Sequence, residues 1–503
     1  MNFANPSLYL GLSAFVALYY TIFKKCQWLF LLVASLVLYF AMEKSMAIYI
    51  LITTVSIYLL GMKIQGINDL YSRKEGKQRS KKYLIAGLLI NFGILFGLKY
   101  LGLLKIFHIE RLDFQSILPP LGISFYTFKA TSYLIDLYRS KYRAETNLLK
   151  FASFVSYYPA LLQGPIDKYD ELSKTLYTKK SFCSENLVSG LYLILFGLMK
   201  KAVIADRLVE PIGHVVKSYT SYQGSVLFLA MFVFGIQIYA DFSGGIDMVR
   251  GFSRVLGIEL AENFNNPYFA DSVAEYWRRW HMSLGAWMRE YVFYPMSLSR
   301  SFANINKKSR KKFGPKYGKI FTLLISTIVV YLLIGAWHGA RSISLLFGLF
   351  YGVVISISLV LENIRAAIDK KLPLPYKVKY AFKVLWVIFI TTIGRYFSKA
   401  NTAKELWTML HYTVKHFFGN DFVHHFYSAM NMSPLSYVVV MLGVIVMILA
   451  GIYKERDGDF YEKIKTLHPI VLYLLLVFVI SLTVVFGLMG SNVTDVEFVY
   501  QKY

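Results

Sequence analysis

The stretch AIYILITTVSIYLLGMKIQGINDLYSRKEGKQRSKK, residues 47–82, decides the class of the fold. Its first part is uncharged and approaches the roughly 20 apolar residues that cross the hydrocarbon core of a bilayer. Its second part is rich in Lys and Arg, as is typical of segments on the cytoplasmic side of a membrane. The pattern predicts a membrane-spanning helix that is followed by a basic cytoplasmic loop.

The rest of the 503-residue chain repeats this pattern. Hydrophobic residues make up 56% of the chain and charged residues 17%, and the mean hydropathy is +0.46. Further apolar runs occur at residues 8–23 and 28–42 and start near Tyr83, Leu187, Val226, Phe321, Ile343, Phe382, Ser436 and Ile470. Several are short or interrupted, so the sequence predicts an all-α integral membrane protein with about ten to twelve transmembrane or re-entrant helices.

The formal net charge of +25 has the same explanation. Much of the excess lies in residues 63–82 and 300–319, which the positive-inside rule places in cytoplasmic loops against anionic lipid headgroups. Membrane lipids are therefore the expected partners of these segments, and no nucleic acid is needed to explain the charge. No repeat or soluble domain is visible, which predicts a single membrane domain over residues 1–503.

The segment YWRRWHMSLGAWMREYVF, residues 276–293, is unusual in such a chain. On one continuous helix, Trp277, Trp280, His281 and Trp287 fall on a common apolar stripe, and the arginines fall away from it. One interpretation is an interfacial helix with a buried structural histidine. The other is a helix that lines a water-accessible chamber, because a histidine among apolar neighbours in lipid needs a partner or a function.

A second histidine lies in LLIGAWHGARS, residues 332–342. Gly335 and Gly339 flank His338 within an apolar run that is too long for one span, so we expect a helix break there. A desolvated imidazole stays neutral near pH 7, which suits a general base that takes a proton from a hydroxyl group. The alternative is a turn histidine at the membrane surface.

Other titratable residues are expected to be structural. Asp241 follows a long apolar run and should be paired, with Arg250, Arg254 or a backbone N–H as its partner. The tail holds His411, His416, His424 and His425, whose spacing matches no standard zinc pattern, so we predict no metal site. Phosphate-binding loops, the serine nucleophile elbow and the zinc-protease motif are absent from the sequence.

Several blocks occur together in a fixed order. These are LGISFYTFKATSYLIDLYRS, SYYPALLQGPIDKY, DFSGGIDMVRGFSRVLGIELAENFNNPYF, YWRRWHMSLGAWMREYVFYP and GAWHGA. This series resembles the membrane-bound O-acyltransferase family, in particular the bacterial branch with alginate O-acetyltransferase and teichoic-acid D-alanyltransferase. The detailed resemblance covers residues 118–341, the motif-bearing core. It implies a ring of transmembrane helices around a central tunnel, with the tryptophan-rich segment lining the tunnel.

The resemblance also implies a function and its residues. His338 matches the catalytic histidine of the family and His281 its second histidine. The implied reaction moves an acetyl group from acetyl-CoA across the bacterial cell membrane to a hydroxyl group of an extracellular polysaccharide or cell-wall glycan. A separate SGNH-type partner would complete the transfer, and neither a bound cofactor nor a metal is implied. Two small departures, Glu290 for a common Asp and Ala336 for a common Leu, leave these roles unchanged.

Two other functions remain open from the sequence. The first is D-alanyl transfer to teichoic acid from a carrier-protein thioester, for which the branch also has members. The second is non-catalytic transport of a lipid or glycan, although the paired interrupted repeats of such transporters are not visible.

Overall fold

The computed structural model describes residues 6–100, 119–339, 341–419, 422–458 and 468–487. Within these ranges the regular elements are helices, and strand pairing is limited to one isolated bridge between Phe264 and Trp280. The α-helices are α1 (Pro6–Tyr20), α2 (Gln27–Glu43), α3 (Ile48–Leu70), α4 (Arg73–Tyr100), α5 (Ile123–Tyr138), α6 (Leu148–Ser156), α7 (Tyr158–Gln163), α8 (Tyr169–Leu176), α9 (Ser184–Met199), α10 (Asp206–Lys217), α11 (Gly224–Val255), α12 (Val273–Arg279), α13 (Met282–Met288), α14 (Tyr294–Ser297), α15 (Arg300–His338), α16 (Ser342–Val360), α17 (Glu362–Lys371), α18 (Tyr376–Lys399), α19 (Ala403–Lys415), α20 (Phe422–Met430), α21 (Pro434–Asp457) and α22 (Pro469–Phe486). Two π-helical segments, Lys200–Ala205 and Arg289–Phe293, lie directly before α10 and α14.

The described part of the chain contains 8 helical segments that are long and apolar enough to cross a membrane. They are Gln27–Leu70, Arg73–Tyr100, Ser184–Lys217, Gly224–Val255, Arg300–His338, Ser342–Val360, Tyr376–Lys399 and Pro434–Arg456. The prediction of an all-α, multi-pass membrane protein is thereby confirmed. The ring around a tunnel stays a prediction.

The described residues divide into two compact units. This division does not test the prediction of a single membrane domain. The first unit comprises residues up to Phe196 together with Gly245–Glu262. Here α5 packs against both α3 and α4 and is buried along almost its whole length. Gly87 allows the close approach, because a Cβ at this position would overlap the side chain of Leu134. Three short helices, α6 to α8, follow α5 between Leu148 and Leu176.

The second unit comprises Gly197–Gly244 and the described residues from Asn263 onward. Its main feature is the pair α15 and α16, which pack closely against each other. A Cβ at Gly348 would overlap the carbonyl oxygen of Tyr331, and one at Gly335 would overlap that of Ser344. Both candidate histidines belong to this unit.

The two basic segments differ from the predicted loops. Helix α3 continues to Leu70 and α4 already begins at Arg73, so most of residues 63–82 are helical. Residues 300–319 form the start of α15, with a kink at Gly314, where φ is +78° and Pro315 follows. The loop prediction was wrong because Lys, Arg, Gln and Glu are good helix formers and let the helix extend beyond the apolar core.

Candidate functional site

His338 lies at the C-terminal end of α15. Gly339 follows in an extended conformation and α16 begins at Ser342, so the predicted helix break is confirmed. The imidazole is partly exposed. Its ring centroid is 4.9 Å from that of Trp337 and 5.5 Å from that of Phe347, in edge-on arrangements with interplanar angles of 71° and 81°. The imidazole therefore packs against two aromatic rings and is still partly accessible to solvent or a ligand.

His281 lies at a second break, which the sequence analysis did not predict. Helix α12 ends at Arg279, Trp280 is extended, and His281 adopts a left-handed conformation with φ +44° before α13 begins. The expectation of one continuous helix over residues 276–293 was wrong. The predicted burial of the apolar stripe is nevertheless found, because Trp280, His281 and Trp287 are all buried.

Contacts with the segment around Asn263 explain this break. The N–H of Met282 donates to the carbonyl oxygen of Asn263 at 2.9 Å, and the N–H of Ser283 donates to its side-chain Oδ1 at 3.0 Å. The N–H of Asn265 donates to the carbonyl oxygen of Arg279 at 3.0 Å. These hydrogen bonds tie the Asn263–Asn265 segment to the backbone before and after His281. A left-handed residue other than glycine costs about 1–2 kcal/mol, so such contacts are needed to hold it.

The indole ring of Trp337 lies next to both imidazoles. Its centroid is 5.6 Å from that of His281 and 4.9 Å from that of His338. Phe242 also packs edge-on against His281, at a centroid distance of 5.0 Å. Two histidines that are far apart in the sequence thus both contact one aromatic residue.

The environment of His281 favours the neutral imidazole. The side chain is 3% exposed. Burial lowers the pKa of His281 to about 3, and the nearby His338 lowers it further in the same direction. His281 is therefore uncharged at physiological pH and can act through a ring nitrogen, without a permanent charge.

An aromatic wall continues from His338 to α12. Phe347 packs against Trp277 at a centroid distance of 6.0 Å, and Trp277 packs against Tyr351 at 4.7 Å and Tyr331 at 6.1 Å. These residues come from α12, α15 and α16. Phe347 thereby connects His338 to a group of large, rigid aromatic side chains from three helices.

Asp241 has a different partner from those predicted. Its Oδ1 accepts a 2.7 Å bond from the ammonium of Lys201, which also lies 2.8 Å from Asp206. Arg250 instead pairs with Glu262 at 3.2 Å. Lys201 belongs to the π-helical segment Lys200–Ala205, and both its side chain and that of Asp241 are buried. The expected pairing of Asp241 is confirmed, with Lys201 as the partner in place of Arg250 or Arg254, and its structural role stays a prediction.

The described residues contain no group of three or more His, Cys, Asp or Glu side chains that could hold a metal ion. In the tail, His411 and His416 lie on and directly after α19, and the ring of His416 packs 4.5 Å from that of Tyr412. The side chain of His424 lies outside the described residues. Asn263, Lys201 and Arg395 also make buried polar contacts, and no local sequence signal predicts them.

Comparison with known proteins gives consistent matches. The model of "MBOAT, membrane-bound O-acyltransferase family" matches residues 111–398, more than half of the chain. The chain is 30% identical to the probable alginate O-acetylase AlgI of Pseudomonas aeruginosa, over 77% of this chain and 71% of that protein. It is 27% identical to the peptidoglycan O-acetyltransferase of Helicobacter pylori, over 61% of each chain. It is 26% identical to the teichoic acid D-alanyltransferase of Bacillus subtilis, over 47% of this chain and 58% of that protein.

Proposed function

Because the chain belongs to the membrane-bound O-acyltransferase family, we propose that this membrane acyltransferase moves an acetyl group from acetyl-CoA to a hydroxyl group of an extracellular polysaccharide or cell-wall glycan. The donor would bind from the cytoplasmic side and the acyl group would leave on the outer side. The proposal places a catalytic centre at His338 and His281.

The observation that carries the proposal is the meeting of the two histidines at Trp337. Both rings lie within 5.6 Å of the indole centroid, although the residues come from different helix breaks. Acyl transfer to a hydroxyl group needs a group that accepts the hydroxyl proton, and a neutral imidazole is well suited to this at pH 7.

The two histidines take different roles in this proposal. His338 is partly exposed, so it is the general base or proton shuttle that reaches the reacting hydroxyl or thioester. His281 is buried and held by its backbone, so it orients or relays near the donor. Trp337 contacts both rings and so links the two histidines.

Acetyl is preferred to D-alanyl as the transferred group. The probable alginate O-acetylase of Pseudomonas aeruginosa matches 77% of this chain, whereas the teichoic acid D-alanyltransferase of Bacillus subtilis matches 47%. The acceptor would accordingly be a glycan hydroxyl. A secreted or membrane-anchored partner of the SGNH type would finish the transfer.

The test is transfer of labelled acetyl from acetyl-CoA to glycan in cell-envelope membranes. We compare the wild type with His338→Ala, His281→Ala and the control His411→Ala, which removes an exposed imidazole on α19. Folded His338→Ala should lose about 10²–10⁴-fold in rate, as expected for loss of a general base, while the control stays unchanged.

Two results would overturn parts of this proposal. Undiminished transfer by folded His338→Ala would remove His338 from the chemistry. Incorporation of D-alanine from a carrier-protein thioester, with none of acetyl from acetyl-CoA, would replace the donor and the acyl group.

A further inference from the structure

Arg395 is a buried cation on α18, one of the candidate membrane spans. Its side chain is 4% exposed. The Nη2 atom donates to the hydroxyl oxygen of Tyr276 at 2.7 Å and, more weakly, to that of Tyr268 at 3.5 Å. The guanidinium carbon lies 5.0 Å from the ring centroid of Trp280. The side chains that interact electrostatically with Arg395 are tyrosines, with no carboxylate among them in the described residues, and its Nε has no hydrogen-bond partner.

This setting is unusual for a buried charge. An arginine in the apolar part of a membrane protein is costly, and it is normally paired or tied to function. Here the aromatic face of Trp280 and two tyrosine hydroxyl groups take the place of a carboxylate. A cation–π contact is stronger when it is desolvated, so the interaction fixes the ring as well as the cation.

The residues that Arg395 holds are those that form the break before His281. Tyr276 belongs to the last turns of α12, and Trp280 is the extended residue directly before His281. Their rings stack at 5.7 Å with an interplanar angle of 18°. Phe264 packs edge-on against Trp280 at 5.1 Å and pairs with it through the isolated bridge. The Arg395 guanidinium and the Phe264 ring thus both fix the position of the Trp280 indole.

We propose that Arg395 is a positioning residue, whose guanidinium clamps Tyr276 and Trp280 and thereby holds the left-handed turn that presents His281 to Trp337. This inference rests on the proposed function, since it assumes that His281 takes part in acyl transfer. Asn263 fixes the turn through the backbone, while Arg395 fixes it through the side chains that precede His281.

The planar fork explains why arginine is suited to this position. The Nη2 atom donates to the Tyr276 hydroxyl while the guanidinium carbon lies over the indole ring. Lysine would supply a point charge but could not do both with fixed geometry. Methionine would fill much of the same volume and provide neither interaction.

The first experiment measures kcat and KM of acyl transfer per folded molecule for Arg395→Met, Arg395→Lys and Tyr276→Phe. Arg395→Met should lower kcat at least about tenfold with little change in KM for the donor, because a misplaced group costs rate more than binding. Arg395→Lys should recover part of the loss. Combining Arg395→Met with Tyr276→Phe should cost little more than Arg395→Met alone, because both changes break the same clamp.

The matched control is Arg207→Met. Arg207 is also a partly buried arginine of this unit, but it donates to Ser436 and to the carbonyl oxygen of Phe486. Its replacement should leave kcat per folded molecule unchanged. An equal loss in both arginine variants, or no loss of kcat in folded Arg395→Met, would overturn the positioning role.

A second readout does not depend on the acyl-transfer assay. Carbethoxylation of His281 by diethyl pyrocarbonate, followed by peptide mass spectrometry, reports how well the turn shields the imidazole. The rate should rise several-fold in Arg395→Met and stay unchanged in Arg207→Met. Unchanged reactivity in Arg395→Met would overturn the proposal. If the wild type transferred no acyl group, the proposed function would fail while this measurement still decided whether Arg395 holds the turn.

Discussion

The two candidate histidines both follow a tryptophan at the end of a helix, but the chain holds them differently. His281 is buried in a left-handed conformation and is surrounded by hydrogen bonds from the Asn263 segment. His338 ends a 39-residue helix, is followed by glycine and is partly exposed. The position of the first depends on distant residues, whereas the position of the second depends on the packing of two neighbouring helices.

This difference suggests a division of labour. A residue that exchanges a proton with a substrate needs access to it, which His338 has. A residue that orients a partner needs a fixed position and a constant charge, which the setting of His281 provides. The predictions below test this division, beginning with the largest expected effect.

The largest effect should come from the imidazoles themselves. His338→Gln should reduce the rate of acyl transfer by about 10²–10⁴-fold, since glutamine cannot accept the proton. His281→Gln should reduce it less, by roughly tenfold, because glutamine retains a hydrogen-bonding group of similar reach. Single-turnover rates of folded variants measure both values. The reverse order would assign the proton transfer to His281.

The next effect concerns the helix pair that carries His338. Gly348→Ala should push α16 away from α15, because the added Cβ would overlap the carbonyl oxygen of Tyr331. We expect a loss of about 1–3 kcal/mol of stability together with lower activity. Gly93→Ala is the control, since no atom lies within 4 Å of the added Cβ there. Thermal unfolding in detergent compares the two, and equal stability of both variants would contradict the tight packing at Gly348.

A smaller effect is expected at the turn that holds His281. Asn263→Ala removes the bond to the N–H of Ser283 and should cost about 1–2 kcal/mol, with a fall in activity. Asn147→Ala serves as the control, because Asn147 caps α6 through the N–H groups of Leu149 and Lys150. Its removal costs a similar ~1 kcal/mol. Activity per folded molecule should fall only for Asn263→Ala, and a parallel fall in both would count against the special role of the turn.

The last effect concerns stability and not activity, and it is a pH dependence. Burial lowers the pKa of His281 to about 3 in the folded protein, from about 6.5 when it is unfolded. Between these values the unfolded chain binds a proton that the folded chain excludes, so stability falls as the pH decreases from 6.5 toward 3. The slope contributed by one group is at most about 1.4 kcal/mol per pH unit.

His281→Gln should therefore lose less stability than the wild type between pH 7 and 4.5, whereas His411→Gln, at an exposed site, should behave like the wild type. Melting temperatures at the two pH values measure this difference. Identical pH slopes for His281→Gln and the wild type would show that His281 is protonated equally in both states.

The sequence predicted one of the two breaks because only one has a local cause. Glycines flank His338, and such glycines can be read from a single sequence as the sign of a bend. The break at His281 has no glycine or proline beside it and is imposed by Asn263 and Phe264 from another segment. Its tertiary contacts override a strong helical pattern.

The buried charges were missed for the same reason. Asp241 was recognised as a paired carboxylate, but Lys201 lies 40 residues away on a π-helical segment. Arg395 occurs in an otherwise ordinary apolar helix, and its aromatic neighbours Tyr276 and Trp280 come from a distant part of the chain. Apolar runs thus predicted the spanning helices, whereas the partners of the buried charged side chains could be identified only from the folded structure.

The π-helical segment Arg289–Phe293 determines where the chain can tolerate the deletion of one residue. A π turn contains about one residue more than an α turn, so deletion of one residue there can restore regular α-helical winding. Each residue advances an α-helix by about 100°, because one turn takes 3.6 residues. A single-residue deletion at this point would therefore be absorbed by the winding of the helix, whereas the same deletion within α13 would rotate its buried face, including Trp287, away from its neighbours.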